Sequence, residues 1–410
     1  MGHEENDTKA SAPDPALRPY PYPYTAWLAL SNDPDNTVIA GWRELDQLIW
    51  KELQLPFADC LFFRSYNRHL PDQVDLHRYP EILAAHPHDT IHTWGDYMFA
   101  GTRGFDRSDA EQAVEHARSL GFSPRVWVDH SMFPGNMLHI HRYGAKPEFP
   151  DAAGHIYGNP YYTLDLVRAI GVRYLWDGTI TPILGQDQEK NWFSYHMEHS
   201  GTTRKGLINY AKHRMSERLG IGSGFRAQFQ KNAAYRKHKF PDGNTMYVFQ
   251  RHGYWDKAEI HGLAAVIAPE RMDELVARGG TCIAYTHLGK RPADRMAEAT
   301  HIPAPTIAAL KHVGRLHSKG KLKLSSVSEL LDHLVLRDNI TVDRRNKHIR
   351  FHADGISFAS VGPEELKGRS FTFLSNEIAP EGVQIMGTTA MLHPRIERND
   401  AEHFTLHFDV

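Results

Sequence analysis

The chain has 410 residues, of which 41% are hydrophobic and 23% charged, and its formal net charge is −2 with a pI near 7.0. This composition is ordinary for a water-soluble globular protein, and its near-zero charge gives no indication of a nucleic-acid partner. No apolar run is long enough to span a bilayer, and the two cysteines, Cys60 and Cys282, provide neither a disulfide framework nor a zinc–thiolate site.

The chain opens with a polar segment, residues 1–22, that lacks the apolar core of a signal peptide. We predict that this segment is a disordered arm, and we expect the protein in the cytoplasm. The sequence also contains 27 histidines. Because imidazole is the commonest metal ligand in proteins, this number favours metal chemistry without locating it.

From residue 25 to about residue 180, short apolar runs alternate with segments whose apolar residues recur at the helical period. One helical segment, 108–121, begins with Ser108 and Glu111, which predict a capping box, and ends at Gly121, which predicts a C-cap. The alternation predicts parallel strands covered by helices, in an open α/β sheet or a (β/α) barrel. The strands are predicted at 25–30, 59–63, 90–94, 125–130 and 173–178, with another helix at 40–53.

Residues 181–245 are basic and helix-prone, and we interpret them as an insertion. The pattern resumes with strands at 246–251 and 281–288, separated by a helix at 269–280. After residue 338 only short strands are predicted, which indicates a small β-rich domain at 338–410. Its five predicted strands are "ITVDRR", "HIRFHA", "ISFASV", "FTFLS" and "FTLHFDV". The main domain would then cover residues 23–337.

Ionisable side chains lie at the carboxyl ends of several predicted strands. Functional residues of parallel α/β proteins collect at these ends, so we expect the groups to meet in one pocket. Carboxylates and imidazoles without thiolates suit a catalytic zinc or a similar divalent ion. The groups are Asp33 and Asp35, His92 and Asp96, Asp129 and His130, Asp177, and His287.

Each of these groups also has a purely structural interpretation. The stretch "SNDPDNT" at 31–37 consists of turn-forming residues. Asp96 could cap a short helix, Asp177 precedes a glycine and could form a tight turn, and His287 could be a core histidine. Their shared position at strand ends and their order along the chain favour the functional interpretation.

That order resembles the polysaccharide deacetylase superfamily (the NodB-like proteins). "LSNDPDNT" matches the family's T-F-D-D strand end, "ADCLFF" its second strand, and His92-Thr93-x-x-Asp96 its H-[ST]-x-x-[HD] motif. "IAYTHL" supplies His287 for the late L-x-H histidine, and "YLWDG" supplies Asp177 for the acidic motif. The family's R-x-P-[FY] motif has no visible counterpart, and "VWVDHSMFPGN" stands in its place. The resemblance covers roughly residues 25–335.

The resemblance implies a distorted (β/α) barrel with a small C-terminal all-β appendage. It also implies a metal-dependent hydrolase that removes an acyl group, chiefly N-acetyl, from a sugar or glycan-like substrate. Carried over by position, Asp33 is the general base, His287 the general acid and Asp177 a further catalytic group. The residues implied as metal ligands are Asp35, His92, Asp96 and His130.

Several points stay open at this stage. Pro34 separates the two aspartates of the first motif, so Asp33 and Asp35 could exchange roles. The metal is expected to be zinc, with manganese or cobalt as alternatives. The partner is expected to be a carbohydrate or an acylated small molecule, which Arg251 could contact through an anionic substituent. An amidase or glycosidase on the same barrel and an inert glycan-binding protein are the alternative functions.

Overall fold

The computed structural model of the chain describes residues 14–101, 104–130, 134–138, 154–187, 192–199, 202–219, 232–290, 302–380 and 384–409. Its largest unit is a nine-stranded sheet. The strands are β1 (Ala26–Asn32), β2 (Asp59–Leu61), β3 (His88–His92), β4 (Val126–Val128), β5 (Tyr174–Thr181), β6 (Tyr235–Lys239), β7 (Thr245–His252), β8 (Gly280–Thr286) and β9 (Leu322–Ser325). They run in the order β2-β3-β4-β5-β7-β8-β1-β9, all parallel, while β6 pairs antiparallel with β7. The predicted α/β class with parallel strands is confirmed.

Helices connect these strands. The α-helices are Ile39–Leu45, Arg107–Ser119, Leu164–Ala169, Trp192–His199, Thr203–Leu219, Ile260–Val266, Pro269–Arg278, Ala304–Ser318, Val327–Asp338 and Pro363–Leu366. A π-helical turn, Asp46–Glu52, continues the first of them, and short 3₁₀ helices lie at Pro80–Ala84 and Trp255–Lys257. Among the residues that the structure describes, no helix combines the length and the apolar character needed to cross a bilayer.

The sheet curls into a half-barrel. β9 pairs with only the first four residues of β1, and the other end of β1 bends toward β2 at the far end of the strand order. There the Asn32 amide donates a 2.7 Å hydrogen bond to the carboxylate of Asp59. The helix Val327–Asp338 packs against both β1 and β3, and the backbone N–H of Ser328 donates to Asp89 at 2.8 Å. The curl brings the carboxyl ends of the strands together around one depression.

Three local predictions are wrong in detail. The helix predicted from Ser108 begins at Arg107, and its N-cap is Asp106, whose carboxylate accepts from Ser108 N at 2.7 Å. The reciprocal partner in the capping box is Asp109, not Glu111. A carboxylate at the N-cap accepts backbone donors and also meets the positive end of the helix dipole. The segment predicted as one helix at 40–53 changes from α to π geometry after Leu45.

The third difference lies in the C-terminal part, which forms two three-stranded sheets. Their strands are β10 (Ile340–Asp343), β11 (His348–Phe351), β12 (Arg369–Leu374), β13 (Gln384–Met386), β14 (Arg395–Arg398) and β15 (His403–Phe408), in the orders β10-β11-β13 and β12-β15-β14. The predicted strand "ISFASV" is instead an irregular segment. The Asp354 carboxylate accepts from Ile356 N and Phe358 N, and this local loop replaces strand pairing.

The C-terminal sheets share an apolar core with the half-barrel. One continuous cluster contains Trp27 of β1, Leu334 of the last barrel helix and Phe371 of β12. Ala16 and Leu17 belong to the same cluster, and Leu17 forms an antiparallel bridge with Phe373. Residues 14–22, predicted to be part of a disordered arm, are therefore ordered in the structure, and the rest of that arm lies outside the described residues.

The segment interpreted as an insertion, 181–245, begins inside β5, which ends at Thr181. It carries the helices Trp192–His199 and Thr203–Leu219, which pack against each other, and then β6. Pairing of β6 with β7 returns the chain to the main sheet.

Candidate metal centre

The turn after β1 places two aspartates at the carboxyl edge of the sheet. Asp33 N still donates to Thr286 O of β8 at 2.8 Å, so the strand pairing continues through this residue. The chain then turns at Pro34, whose carbonyl accepts from Thr37 N at 3.1 Å, with Asn36 at a φ of 54°. Asn tolerates this left-handed conformation better than most residues. The turn directs Asp33 and Asp35 to different partners.

Asp35 faces two histidines from the next strands. Its Oδ1 lies 3.1 Å from Nε2 of His92, at the end of β3, and 3.1 Å from Nδ1 of His130, after β4. The two imidazole nitrogens are themselves 3.1 Å apart. The three ligand atoms thus form a nearly equilateral triangle among largely buried side chains.

The second nitrogen of each imidazole has its own partner. His92 Nδ1 lies 3.1 Å from the carbonyl oxygen of Val128, so this nitrogen carries the proton and Nε2 presents a lone pair. His130 Nε2 lies 3.3 Å from Oδ1 of Asp96. Outer partners of this kind fix the orientation and tautomer of metal-binding histidines. Asn136 fixes the backbone of His130 by contacting both its N–H and its carbonyl.

A tight bend after β3 brings Asp96 into this position. Thr93 has a φ of 54°, an uncommon conformation for a β-branched residue, and its N–H donates to Val128 O at 3.0 Å. A Cβ on Gly95 would lie 2.6 Å from the carbonyl oxygen of Arg64, so the close approach requires glycine. The spacing of the His-Thr-x-Gly-Asp segment therefore follows from the path of the backbone.

The triangle has the dimensions of a metal-binding face. A tetrahedral ion with bonds of about 2.0–2.1 Å separates its ligand atoms by about 3.3 Å. The three edges of 3.1 Å are close to that separation. Two imidazoles and one carboxylate also form a donor set used by catalytic zinc sites that keep a position open. Asp35, His92 and His130 could therefore hold a metal ion.

The carboxylates also control the protonation of His130. Burial lowers the pKa of His130, but the carboxylates of Asp35 and Asp96 outweigh burial and raise it to about 10. Burial raises the pKa of Asp35, yet the neighbouring imidazoles, His130 foremost, bring it well below its usual range. These opposite pKa shifts favour an imidazolium–carboxylate pair, and a divalent cation would compete with that proton for His130.

Asp33 is bound by a buried arginine instead of the histidines. Arg251 Nη1 and Nη2, at the end of β7, lie 2.5 and 3.1 Å from the two carboxylate oxygens of Asp33. The guanidinium lies over the ring of Trp176 at 3.7 Å and over that of Tyr285 at 4.3 Å. Burial raises the pKa of Asp33, but Arg251, with His92 and His287, lowers it below the usual value. Asp33 is thus an ionised carboxylate in a fixed position.

His287 lies beside both aspartates. Its Nε2 is 3.2 Å from Asp35 Oδ2 and 3.8 Å from Asp33 Oδ2. Its backbone N–H donates to Ala258 O, which fixes the start of the loop after β8. Lys290 follows on that loop, with Nζ 4.0 Å from Asp35 Oδ2.

These groups share one cavity of about 270 Å³. Its lining combines the charged cluster with three aromatic rings, and one of them, Trp255, is 55% exposed. The residues that line it are Asp33, Asp35, His92, Asp129, His130, Trp176, Trp255, Ala258, Glu259, Tyr285, His287 and Lys290.

Two of the sequence-predicted site residues lie apart from this lining. Asp96 contacts the outer nitrogen of His130, and its second oxygen accepts from Gln73 at 2.8 Å, so it orients the His130 ring. Asp177 accepts from Thr179 N at 2.9 Å and pairs with Arg236 at 3.1 Å. It lies inside β5 and stabilises the irregularity where this strand shifts its register against β7.

Sequence reasoning missed the role of Arg251 and the contribution of three loop residues, Trp255, Glu259 and Lys290. Arg251 could have been found, because it lies at a strand end like the other polar groups. It does not face a substrate substituent, since Asp33 occupies its guanidinium. The loop residues carry no sequence signal, because only the folded path of the chain brings them to the cavity.

No family model, no curated protein and no solved structure matches this chain.

Proposed function

We propose that the chain is a metal-dependent hydrolase that removes an acyl group, chiefly N-acetyl, from a sugar or glycan-like substrate. We further propose that its half-barrel is a distorted barrel of the polysaccharide deacetylase type. One observation carries the proposal: the Asp35–His92–His130 triangle shares a cavity with an ionised aspartate and a further histidine.

The roles follow from the partners of each side chain. A divalent ion, when bound, supplies a Lewis acid for the acyl oxygen and lowers the pKa of water. Asp33 is the general base, since Arg251 keeps it ionised and fixed at the cavity wall. His287 lies on the same wall, 3.2 Å from Asp35, and is placed to protonate the leaving amine or alcohol.

The donor set and the aromatic lining suggest the metal and the substrate class. Two imidazoles and one carboxylate suit zinc, with cobalt or manganese as alternatives. Trp255 lines the cavity and is 55% exposed, so it gives the site an aromatic surface that suits a sugar ring. A cavity of about 270 Å³ fits one acylated sugar unit better than a long segment of chain.

The electrostatics favour acyl transfer over glycoside hydrolysis. A glycosidase needs one carboxylic acid whose raised pKa keeps it protonated near neutral pH. The pKa values of Asp33 and Asp35 are both lowered by their neighbours. Neither aspartate therefore supplies the required acid.

The test separates the two aspartates. Purified protein is assayed for bound metal by elemental analysis and for acetate release from N-acetylated sugar oligomers and aryl acetates. We expect Asp35→Asn to lose the ion of this centre together with activity. Asp33→Asn should keep the ion and lose about 10²–10⁴-fold in turnover, the usual contribution of a general base.

The exposed carboxylate of Asp72 offers a matched control, and Asp72→Asn should retain both properties. The proposal fails if wild-type protein binds no divalent ion and its acetate release is indifferent to chelator. It also fails if Asp35→Asn releases acetate at the wild-type rate.

A further inference from the structure

A second group of metal-ligating side chains lies where β2 and β3 begin. Asp59 is the first residue of β2 and His88 the first of β3, and His86 lies just before β3. Each of the three offers a ligand atom, and these atoms all lie within 4.8 Å of one another. His92 of the first centre follows His88 by four residues on the same strand, about 13 Å further along. The two groups are therefore separate.

Two of the three side chains already point toward a common position. Asp46 Oδ1 lies 3.0 Å from His86 Nδ1, which places the proton on that nitrogen and leaves Nε2 as a lone-pair donor. His86 Nε2 is 3.6 Å from Oδ2 of Asp59. The other oxygen of Asp59 accepts from Asn32 at 2.7 Å and from Cys60 N at 2.8 Å, so Oδ2 remains directed at His86.

Three of the four imidazole nitrogens in this group have no hydrogen-bond partner among the described residues, despite their burial. The His86 side chain is 1% exposed, yet within the described part of the chain its Nε2 has no hydrogen-bond partner. The same holds for both ring nitrogens of His88. Leaving a buried polar group unsatisfied costs roughly 1–3 kcal/mol, so native structures rarely keep several of them together. A bound cation would accept the lone pair of His86 Nε2 and that of one His88 nitrogen.

We propose that Asp59, His86 and His88 bind a second divalent ion, of the zinc class, in a structural role. Two imidazoles and one carboxylate match that class, as at the first centre. His88 is the least buried of the three, and its ring stacks on that of His86 with a centroid distance of 4.4 Å. The ion links the starts of β2 and β3 to the end of β1, because Asp59 also holds Asn32, the neighbour of Asp33.

Trp50 provides a local reporter for this site. Its indole stacks on His86 with a centroid distance of 3.6 Å and an interplanar angle of 3°. A paramagnetic ion bound at His86 should therefore quench the fluorescence of Trp50. Cobalt(II) serves as the probe, since it accepts the same ligands as zinc.

The test counts zinc by elemental analysis after reconstitution and removal of excess metal. We expect two ions per chain in wild-type protein, one in His88→Ala, one in His92→Ala and none in the double variant. Orienting partners alone are worth about 10–100-fold in metal affinity, so loss of a ligand should weaken binding at least 100-fold. His261→Ala, at an exposed histidine, is the matched control and should keep both ions.

Cobalt(II) titration of His92→Ala should quench Trp50 at one equivalent. Trp50→Phe introduced into that variant should reduce the quenching, since Trp42 also stacks on His86 at 5.2 Å, but should leave one bound cobalt per chain. The inference is overturned if His88→Ala keeps two ions. It is equally overturned if wild-type protein holds one ion that His92→Ala removes, an outcome that leaves the proposed function intact. If His88→Ala fails to fold, His92→Ala alone decides the question. A single bound cobalt that quenches Trp50 supports the second site, and the absence of such an ion refutes it.

Discussion

At the scale of single residues, the two aspartates of "SNDPDNT" differ through their partners. Asp33 meets a buried guanidinium, and Asp35 meets three imidazoles. Their order along the chain could not show this difference, because Pro34 makes either assignment sterically reasonable. The partner geometry favours Asp35 as the ligand and Asp33 as the base.

The Asp33–Arg251 pair gives a stability prediction. Arg251 is fully buried, so Arg251→Met leaves the Asp33 carboxylate without its cation in a desolvated position. We expect a loss of about 3–5 kcal/mol in the free energy of unfolding, measured by urea denaturation. The double variant Asp33→Asn/Arg251→Met should lose clearly less than the sum of the two single variants. Additive losses would contradict a direct buried pair.

His130 gives a prediction about protons. Because its pKa is raised to about 10, metal-free protein carries this imidazole protonated at pH 8, and binding must displace the proton. We expect release of about one proton per ion at the first centre, measured by calorimetry of His88→Ala in buffers of different ionisation enthalpy. No proton release at pH 8 would refute the imidazolium–carboxylate pair.

The raised pKa of His130 also predicts how the stability of the protein changes with pH. The folded pKa of His130 lies above the unfolded value near 6.5, so its contribution is fully present below that pH. In metal-free protein the contribution is lost as pH rises through about 10, and we expect the thermal midpoint to fall over this window. In His130→Asn the thermal midpoint should fall less over the same pH range.

At the scale of elements, the sequence predicts the strands and the carboxyl edge well. Side-chain periodicity and polar residues at strand ends are local properties, and they locate Asp35, His92 and His130 correctly in one cluster. The sequence does not predict that Asp96 contacts the outer nitrogen of His130 or that Arg251 pairs with Asp33. Those contacts depend on strand register and on the curl of the sheet, which only long-range packing determines.

The N-terminus of the helix Arg107–Ser119 also differs from the sequence prediction. Ser108 and Glu111 have capping-box spacing, yet the carboxylate that caps the helix is that of Asp106, two residues before Ser108. We expect Asp106→Ala to destabilise the protein by about 1 kcal/mol in urea denaturation. Ser108→Ala is the comparison and should change stability by a few tenths of a kcal/mol at most, about the effect of an ordinary surface substitution. If Ser108→Ala loses more stability than Asp106→Ala, the helix is capped by Ser108, as the sequence predicts.

At the scale of the whole molecule, the half-barrel and the C-terminal sheets are joined by more than apolar packing. Asp332 of the helix Val327–Asp338 lies 2.6 Å from Arg125, next to β4, and 2.6 Å from Arg369 of β12. It also accepts a 2.6 Å hydrogen bond from Tyr174 of β5. This buried carboxylate therefore connects the main sheet to the C-terminal part, and its removal would leave two guanidinium groups without their shared counter-ion.

This shared core predicts cooperative unfolding. Since Trp27, Leu334 and Phe371 belong to one apolar cluster, removing the C-terminal sheets exposes the barrel side of that cluster to water. We expect the full chain to unfold in one calorimetric transition. A truncation after residue 338 should lose that transition and bind hydrophobic dyes. Two separate transitions, or a truncated protein with a native melting profile, would show instead that the C-terminal sheets form an independent folding unit.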